Sequence, residues 1–165
     1  MTIRPFVMWP DRRLTTPAKP VGEVTDAHRA IWDDMIETME AMPGYGLAAP
    51  QIGVMHRLAV VDCSDDRGRA VCLADPEILH VGDELREWDE ASPNLPGISA
   101  KVSRPAHVKV SFLNRDGLRV RQDFEGLWAT SVQHQIDHLD GRMFFDRLSR
   151  TRREMLLRKA RKARG

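Results

Sequence analysis

The chain has little cysteine and no long apolar run. Its two cysteines, Cys63 and Cys72, are not in C-x-x-C spacing and both sit in apolar stretches, which reads as buried free thiols of a reducing cytoplasm. No stretch approaches the roughly eighteen apolar residues that a membrane-spanning helix needs. The first residues, Met1-Thr2-Ile3-Arg4-Pro5, lack the apolar core of a secretory signal. There is no internal repeat and no linker-like segment. The length, 165 residues, suits one domain large enough to bury a real core.

Net charge is nearly balanced at +1, but it is unevenly distributed. Residues 147–165 hold nine Lys or Arg and one acid, Glu154, a local +8 that leaves −7 for the rest of the chain. An acidic body (1–148) with a basic helical tail (149–165) is the footprint of docking on a phosphate-rich surface, or of a solubilising helix.

Prolines 5, 10, 17 and 20 predict an extended arm laid over the domain. Thr25 or Asp26 caps a helix with apolar positions Ile31, Met35, Met39 and Met42, with Trp32 and Ile36 alongside. Asp33, Asp34, Glu37 and Glu40 mark its wet face, and Pro43 with Gly44 ends it. Strands follow at 58–62 and 70–73, joined by a turn-rich segment at 65–68. A polar segment then leads to residues 90–97, where Pro93 and Pro96 argue for a shaped loop and against a central strand. Val108, Val110 and Phe112, a turn at 114–117, and residues 118–124 form a hairpin. Gly126 precedes a second helix with inner positions Leu127, Val132, Ile136 and Leu139, which Gly141 stops. The fold class is α+β: antiparallel strands packed around a central helix.

That second helix carries the chemistry. His134 and His138 lie one turn apart, so both imidazoles project from one face. This is the spacing of the H-E-x-x-H zinc helix, whose acid serves as general base, but the acid position holds Gln135. A second stretch, Gly44-Tyr45-Gly46-Leu47-Ala48-Ala49-Pro50-Gln51, is small and glycine-rich, which suits a tight connection between helix and sheet, the better reading on glycine content alone, or a backbone that approaches something closely.

Together three stretches resemble the signature motifs of the peptide deformylases, in the right order. Residues 44–51 match G-x-G-L-A-A-P-Q, residues 90–94 correspond to E-G-C-L-S in altered form, and residues 133–139 correspond to Q-H-E-x-D-H-L with Gln in place of Glu. The resemblance covers essentially the whole chain and implies the deformylase fold. It implies a divalent metal, Fe2+ or Zn2+, held by one Cys and two His, whose water attacks the formyl carbon of a nascent peptide's N-terminal methionine. The motif Glu takes the water's proton, and the motif Gln and a backbone N–H hold the oxyanion. By position, the ligands fall on Ser92, His134 and His138, the base on Gln135, and the oxyanion donors on Gln51 and Pro93. Gly44, Tyr45, Gly46 and the strand near Gly97 would receive an extended peptide by strand addition. Thr130 and Ser131 fall where the methionine pocket is usually apolar.

The departures from the motifs act on separate parts of that mechanism. A serine hydroxyl stays protonated and is a poor ligand beside a thiolate. A glutamine cannot act as general base, a role worth roughly 10²–10⁴-fold. Proline has no N–H, which removes an oxyanion donor of a kind worth about 10²–10³ in rate. Asp137 reads as a structural hydrogen-bonding residue, and Glu90 as a partner for Arg104. The expectation is a cytoplasmic deformylase-like protein with weak or absent metal binding and little or no activity. It would bind N-terminal segments of nascent chains and, through its tail, the ribosome, with no membrane and no specific DNA as partner. The alternatives are an active metal-dependent deformylase or related amide hydrolase with an altered site, or a regulatory partner of an active homologue.

Overall fold

The computed structural model describes residues 2–164. The N-terminal arm is irregular, as its prolines require, with a 3-10 turn at Arg12–Thr15 and a single bridge from Lys19 to His56. Backbone hydrogen bonds pin it to the body: the Val7 N–H donates to the Gln51 carbonyl, that of Trp9 to Asn94, and that of Ala18 to Leu139.

Helix α1, Asp26–Ala41, starts at Thr25, whose N–H donates to His28 Nδ1 at 3.0 Å. Trp32, Met35 and Met39 are its fully buried apolar residues, whereas Ile31, Ile36 and Met42 form the half-buried margins. The buried face therefore centres on Trp32, which the sequence placed to one side. The indole N–H donates to the Ala59 carbonyl at 3.1 Å, so the largest side chain takes the middle of the contact with its polar atom satisfied.

Five strands form the main sheet: β1 (Gly46–Ala48), β2 (Leu58–Val61), β3 (Val71–Val81), β6 (His107–Leu113) and β7 (Arg119–Glu125), in the order β1-β2-β3-β6-β7. A separate ribbon pairs β4 (Leu85–Ala91) with β5 (Ser99–Pro105), and every pairing is antiparallel. The polar segment expected before residue 90 is thus mostly strand. Its β character was hidden because residues 77–81 are all exposed, so no in-and-out alternation marks them, and two register shifts interrupt the pairing of β3 with β6.

Helix α2, Gly126–Leu139, contacts β1, β2, β5, β6 and β7, and every residue from Ala129 to Leu139 is buried. It is the central helix of an α+β fold. Leu127, expected in its core-facing set, is half-buried and lines a cleft instead, because its position lies in the first turn, before the helix passes under the sheet. After a 3-10 turn at Phe144–Arg147, the basic helix α3 (Arg150–Arg164) buries Leu156 and Ala160 in a cluster with Phe144, Phe145, Leu95 and Val102. One face of that helix therefore belongs to the core, while Arg158, Lys159, Arg161 and Lys162 face solvent. Among the described residues no helix is long and apolar enough to cross a membrane.

Candidate active site

Three elements converge on one cleft of about 440 Å³. Helix α2 supplies Thr130, Ser131, His134 and Gln135; the end of β4 and the loop after it supply Glu90, Ser92 and Pro93; and the segment around β1 supplies Gly44, Tyr45, Gly46 and Gln51. Close approach of β1 to α2 explains Gly46, where an added Cβ would lie 2.6 Å from both Gln135 Nε2 and Ser131 Oγ. Ser131 Oγ donates to the Tyr45 carbonyl at 3.0 Å and fastens the two elements together. Tyr45 itself stands half-exposed at the mouth. Gly97 is not on the cleft wall; it sits in the left-handed region, at φ +77°, near the end of the loop.

At the floor, Ser92 Oγ lies 3.3 Å from His134 Nε2 and 3.1 Å from His138 Nε2, and the two Nε2 atoms are 3.2 Å apart. His134 and Ser92 line the cleft, whereas His138 lies behind them and is 1% exposed. Burial, with His134 and Arg104 adding to it, drives His138 well below the ordinary imidazole range, so it is neutral. On its far side His134 donates from Nδ1 to Glu90 Oε1 at 2.7 Å, which fixes its tautomer with the lone pair on Nε2.

Glu90 is in turn gripped by Arg104 in a two-pronged ion pair, at 2.7 and 2.9 Å. Arg104 reaches on to Asp137 at 2.9 Å, and Arg147 caps the same carboxylate. Burial alone would raise both acids, but hydrogen bonds from His134 and Arg104 hold Glu90 below its usual range, and Arg147 with Arg104 does the same for Asp137. The partnership of Glu90 with Arg104 and the structural role of Asp137 were both readable from the sequence. Arg147 was not, since it comes from the 3-10 turn after the helix and no spacing rule points to it.

Gln51 is already engaged. Its Oε1 accepts from the Ala48 N–H at 2.9 Å and its Nε2 donates to Asn94 Oδ1 at 2.7 Å, while Asn94 Nδ2 donates to the Val7 and Gln51 carbonyls. Asn94 thus ties loop, arm and motif together, a role that sequence reasoning missed. By contrast Gln135 Oε1 and Thr130 Oγ1 are buried with no partner, which leaves unmet polar atoms in the cleft wall.

The metal implied by the resemblance can be tested against these atoms. Three corners of a tetrahedron with bonds of about 2.0–2.1 Å lie about 3.3–3.4 Å apart, and the observed edges run from 3.1 to 3.3 Å. The spacing suits an ion, but the donors do not. Two imidazoles and a neutral hydroxyl replace a set containing a thiolate. Binding through His138 Nε2 would also place that ring's proton on Nδ1, which is buried with no partner. Among the described residues no group of three His, Cys, Asp or Glu side chains is placed to hold a metal. The residues present do not fit a resident catalytic metal.

Comparison with known proteins places this geometry in context. The family model described as "Polypeptide deformylase" matches residues 3–154. A peptide deformylase of Methylocella silvestris is 44% identical over 99% of this chain and 86% of its own length. A peptide deformylase-like protein of Bradyrhizobium diazoefficiens is 42% identical, with 96% of this chain and 93% of that one aligned. The crystal structure of a peptide deformylase from Legionella pneumophila superposes with a TM-score of 0.90 at 38% identity, covering 99% and 96% of the two chains.

Proposed function

The chain belongs to the polypeptide deformylase family, and from that footing we propose that it binds N-terminal segments of nascent chains while metal-dependent deformylation is lost or strongly impaired. One observation carries the reading: the three atoms at the family's ligand positions are hydrogen-bonded to one another through a serine hydroxyl. Two further features support it. Gln135, on the cleft wall beside His134, has no titratable proton with which to serve as a base. Pro93 offers no N–H where an oxyanion would need one. Unpartnered Thr130 Oγ1 and Gln135 Oε1 put polar atoms where a methionine side chain would want apolar contact, so preference for a first methionine should be weakened. The protein would act in the cytoplasm, with Arg158, Lys159, Arg161 and Lys162 meeting ribosomal phosphates.

The test is formate release from a formyl-methionyl peptide by oxygen-free protein given excess iron(II), nickel or zinc. No release above a His134→Ala control supports the reading, and release that scales with both enzyme and metal overturns it. A second reading, an active deformylase or related amide hydrolase with an altered site, is favoured by the near-tetrahedral spacing of the three atoms. Docking is tested separately: salt-sensitive co-sedimentation with ribosomes should weaken when Arg158 and Arg161 are changed to Glu.

A further inference from the structure

Ser92, His134 and Glu90 stand in hydrogen-bonded series, with the serine and the imidazole both on the cleft wall. Glu90 holds the His134 proton on Nδ1, so Nε2 offers a lone pair 3.3 Å from Ser92 Oγ. His138 completes the assignment of protons. Its Nδ1 is buried without a partner, and an orphaned N–H there is less tolerable than an orphaned lone pair, so its proton sits on Nε2 and is donated to Ser92 Oγ at 3.1 Å. The serine hydrogen is then left with one acceptor, His134 Nε2. This is the nucleophile, base and orienting-acid pattern of serine hydrolases, at the slightly loose distance usual before substrate binds.

We propose that Ser92 is the nucleophile of a metal-independent hydrolysis of small activated esters through an acyl-serine, with His134 as its general base. Ser92 Oγ attacks the ester carbonyl carbon as its proton passes to His134 Nε2. The bond to the leaving alcohol breaks as His134 returns that proton to the departing oxygen. Water then attacks the acyl-serine, giving its proton to His134, which passes it to Ser92 Oγ as the acid leaves. Gln51 and Gln135 line the same cleft, and their carboxamide N–H groups, one of those on Gln51 being taken by Asn94, are the amide donors it offers to an oxyanion. With no N–H at Pro93, oxyanion support is reduced, which favours esters with good leaving groups over amides. Glu90 is a positioning residue, acting through the imidazole. The inference needs no ion and stands apart from the loss of metal-dependent deformylation.

The full-length protein, held in excess chelator, is treated with p-nitrophenyl acetate and followed by intact mass and peptide mapping. One acetyl group per chain, on Ser92, with a burst of nitrophenolate, is expected. His134→Gln should slow the burst about 10²–10⁴-fold. Nitrogen-15 NMR should find the His134 proton on Nδ1, and on Nε2 in Glu90→Gln, a change that a purely structural carboxylate would not cause. Absence of acetyl on Ser92 of the unaltered protein, or acylation abolished by chelator, overturns the proposal. So does a proton on His134 Nε2 before any substitution.

Discussion

Restoring a thiol at the floor of the cleft, Ser92→Cys, should raise zinc affinity about 10²–10³-fold. Four-ligand zinc sites bind with roughly 10–16 kcal/mol, or about 2.5–4 kcal/mol per ligand, and each 1.4 kcal/mol is tenfold. The geometry supports assigning the ligand's full share. A sulfur about 2.3 Å from an ion that is itself about 2.0–2.1 Å from each imidazole lies about 3.5 Å from both nitrogens. Ser92 Oγ now lies 3.1 and 3.3 Å from them, so a few tenths of an ångström of opening suffices, and Ser92 faces a cleft that can yield it. Loss of the two hydroxyl hydrogen bonds, about 1 kcal/mol each, lowers the competing stability of the metal-free state and adds to the effect. Because the thiol must ionise to bind, the gain should grow with pH. Competition against a chromophoric chelator in anaerobic buffer measures the ratio directly. Equal affinities for the two proteins would refute the reasoning, and would place the obstacle at the buried, unpartnered Nδ1 of His138.

Other consequences are independent of any metal. Arg104→Met leaves Glu90 and Asp137 as buried acids without their shared cation, and should cost about 3–5 kcal/mol in urea unfolding. Leu156→Ala, in the face of α3 that joins the core, should cost about 2–5 kcal/mol. Truncation at residue 148 would therefore unfold as well as discharge the protein, and surface charge reversal is the cleaner probe of docking. The N-terminal arm should loosen in acid. Burial alone would raise Asp34, but hydrogen bonds from Arg4 and the Thr2 N–H hold it below the usual carboxylate range. A lowered acid contributes stability above its ordinary range and loses it as pH falls, so amide protection at Thr2 and Arg4, taken relative to the intrinsic exchange rate at each pH, should fall on acidification before that of α1 does.

Much of this was legible in the chain because the signals are local. Helix α1 announced itself through Thr25, its apolar period and Pro43, and the hairpin of β6 and β7 through Asn114 to Gly117. The pairing of His134 with His138 follows from helical geometry alone. What could not be read depends on burial from afar. Residues 77–81 of β3 are exposed on both faces and so carry no period. Trp32, not its neighbours, centres the α1 contact because a carbonyl of β2 waits for its indole. Asn94 joins Val7 to Gln51, which no spacing rule brings together.

The altered residues also make sense of one another energetically. Gln135 is 4% exposed, and its side chain reaches the close approach of β1 at Gly46. A glutamate there would be tolerable beside a bound cation and its water, but with neutral His138 and a serine hydroxyl nearby it would be a buried anion without compensation. On the proposed reading, the serine at 92 and the amide at 135 go together: where no ion is held, the neutral amide is the more stable choice. Gln135→Glu alone should destabilise the protein by about 2–4 kcal/mol at neutral pH. The sign follows from a raised folded pKa: the penalty is absent in acid, where the group is protonated in both states, and grows as pH rises through the ordinary glutamate range. Combined with Ser92→Cys and excess zinc, the same substitution should become neutral or stabilising, and formate release should rise about 10²–10⁴-fold over Ser92→Cys alone. Chemical unfolding of the four proteins, each with and without zinc, gives the coupling energy directly. Additive effects that are indifferent to zinc would show that residues 92 and 135 do not share an ion, and that the amide is there for some other reason.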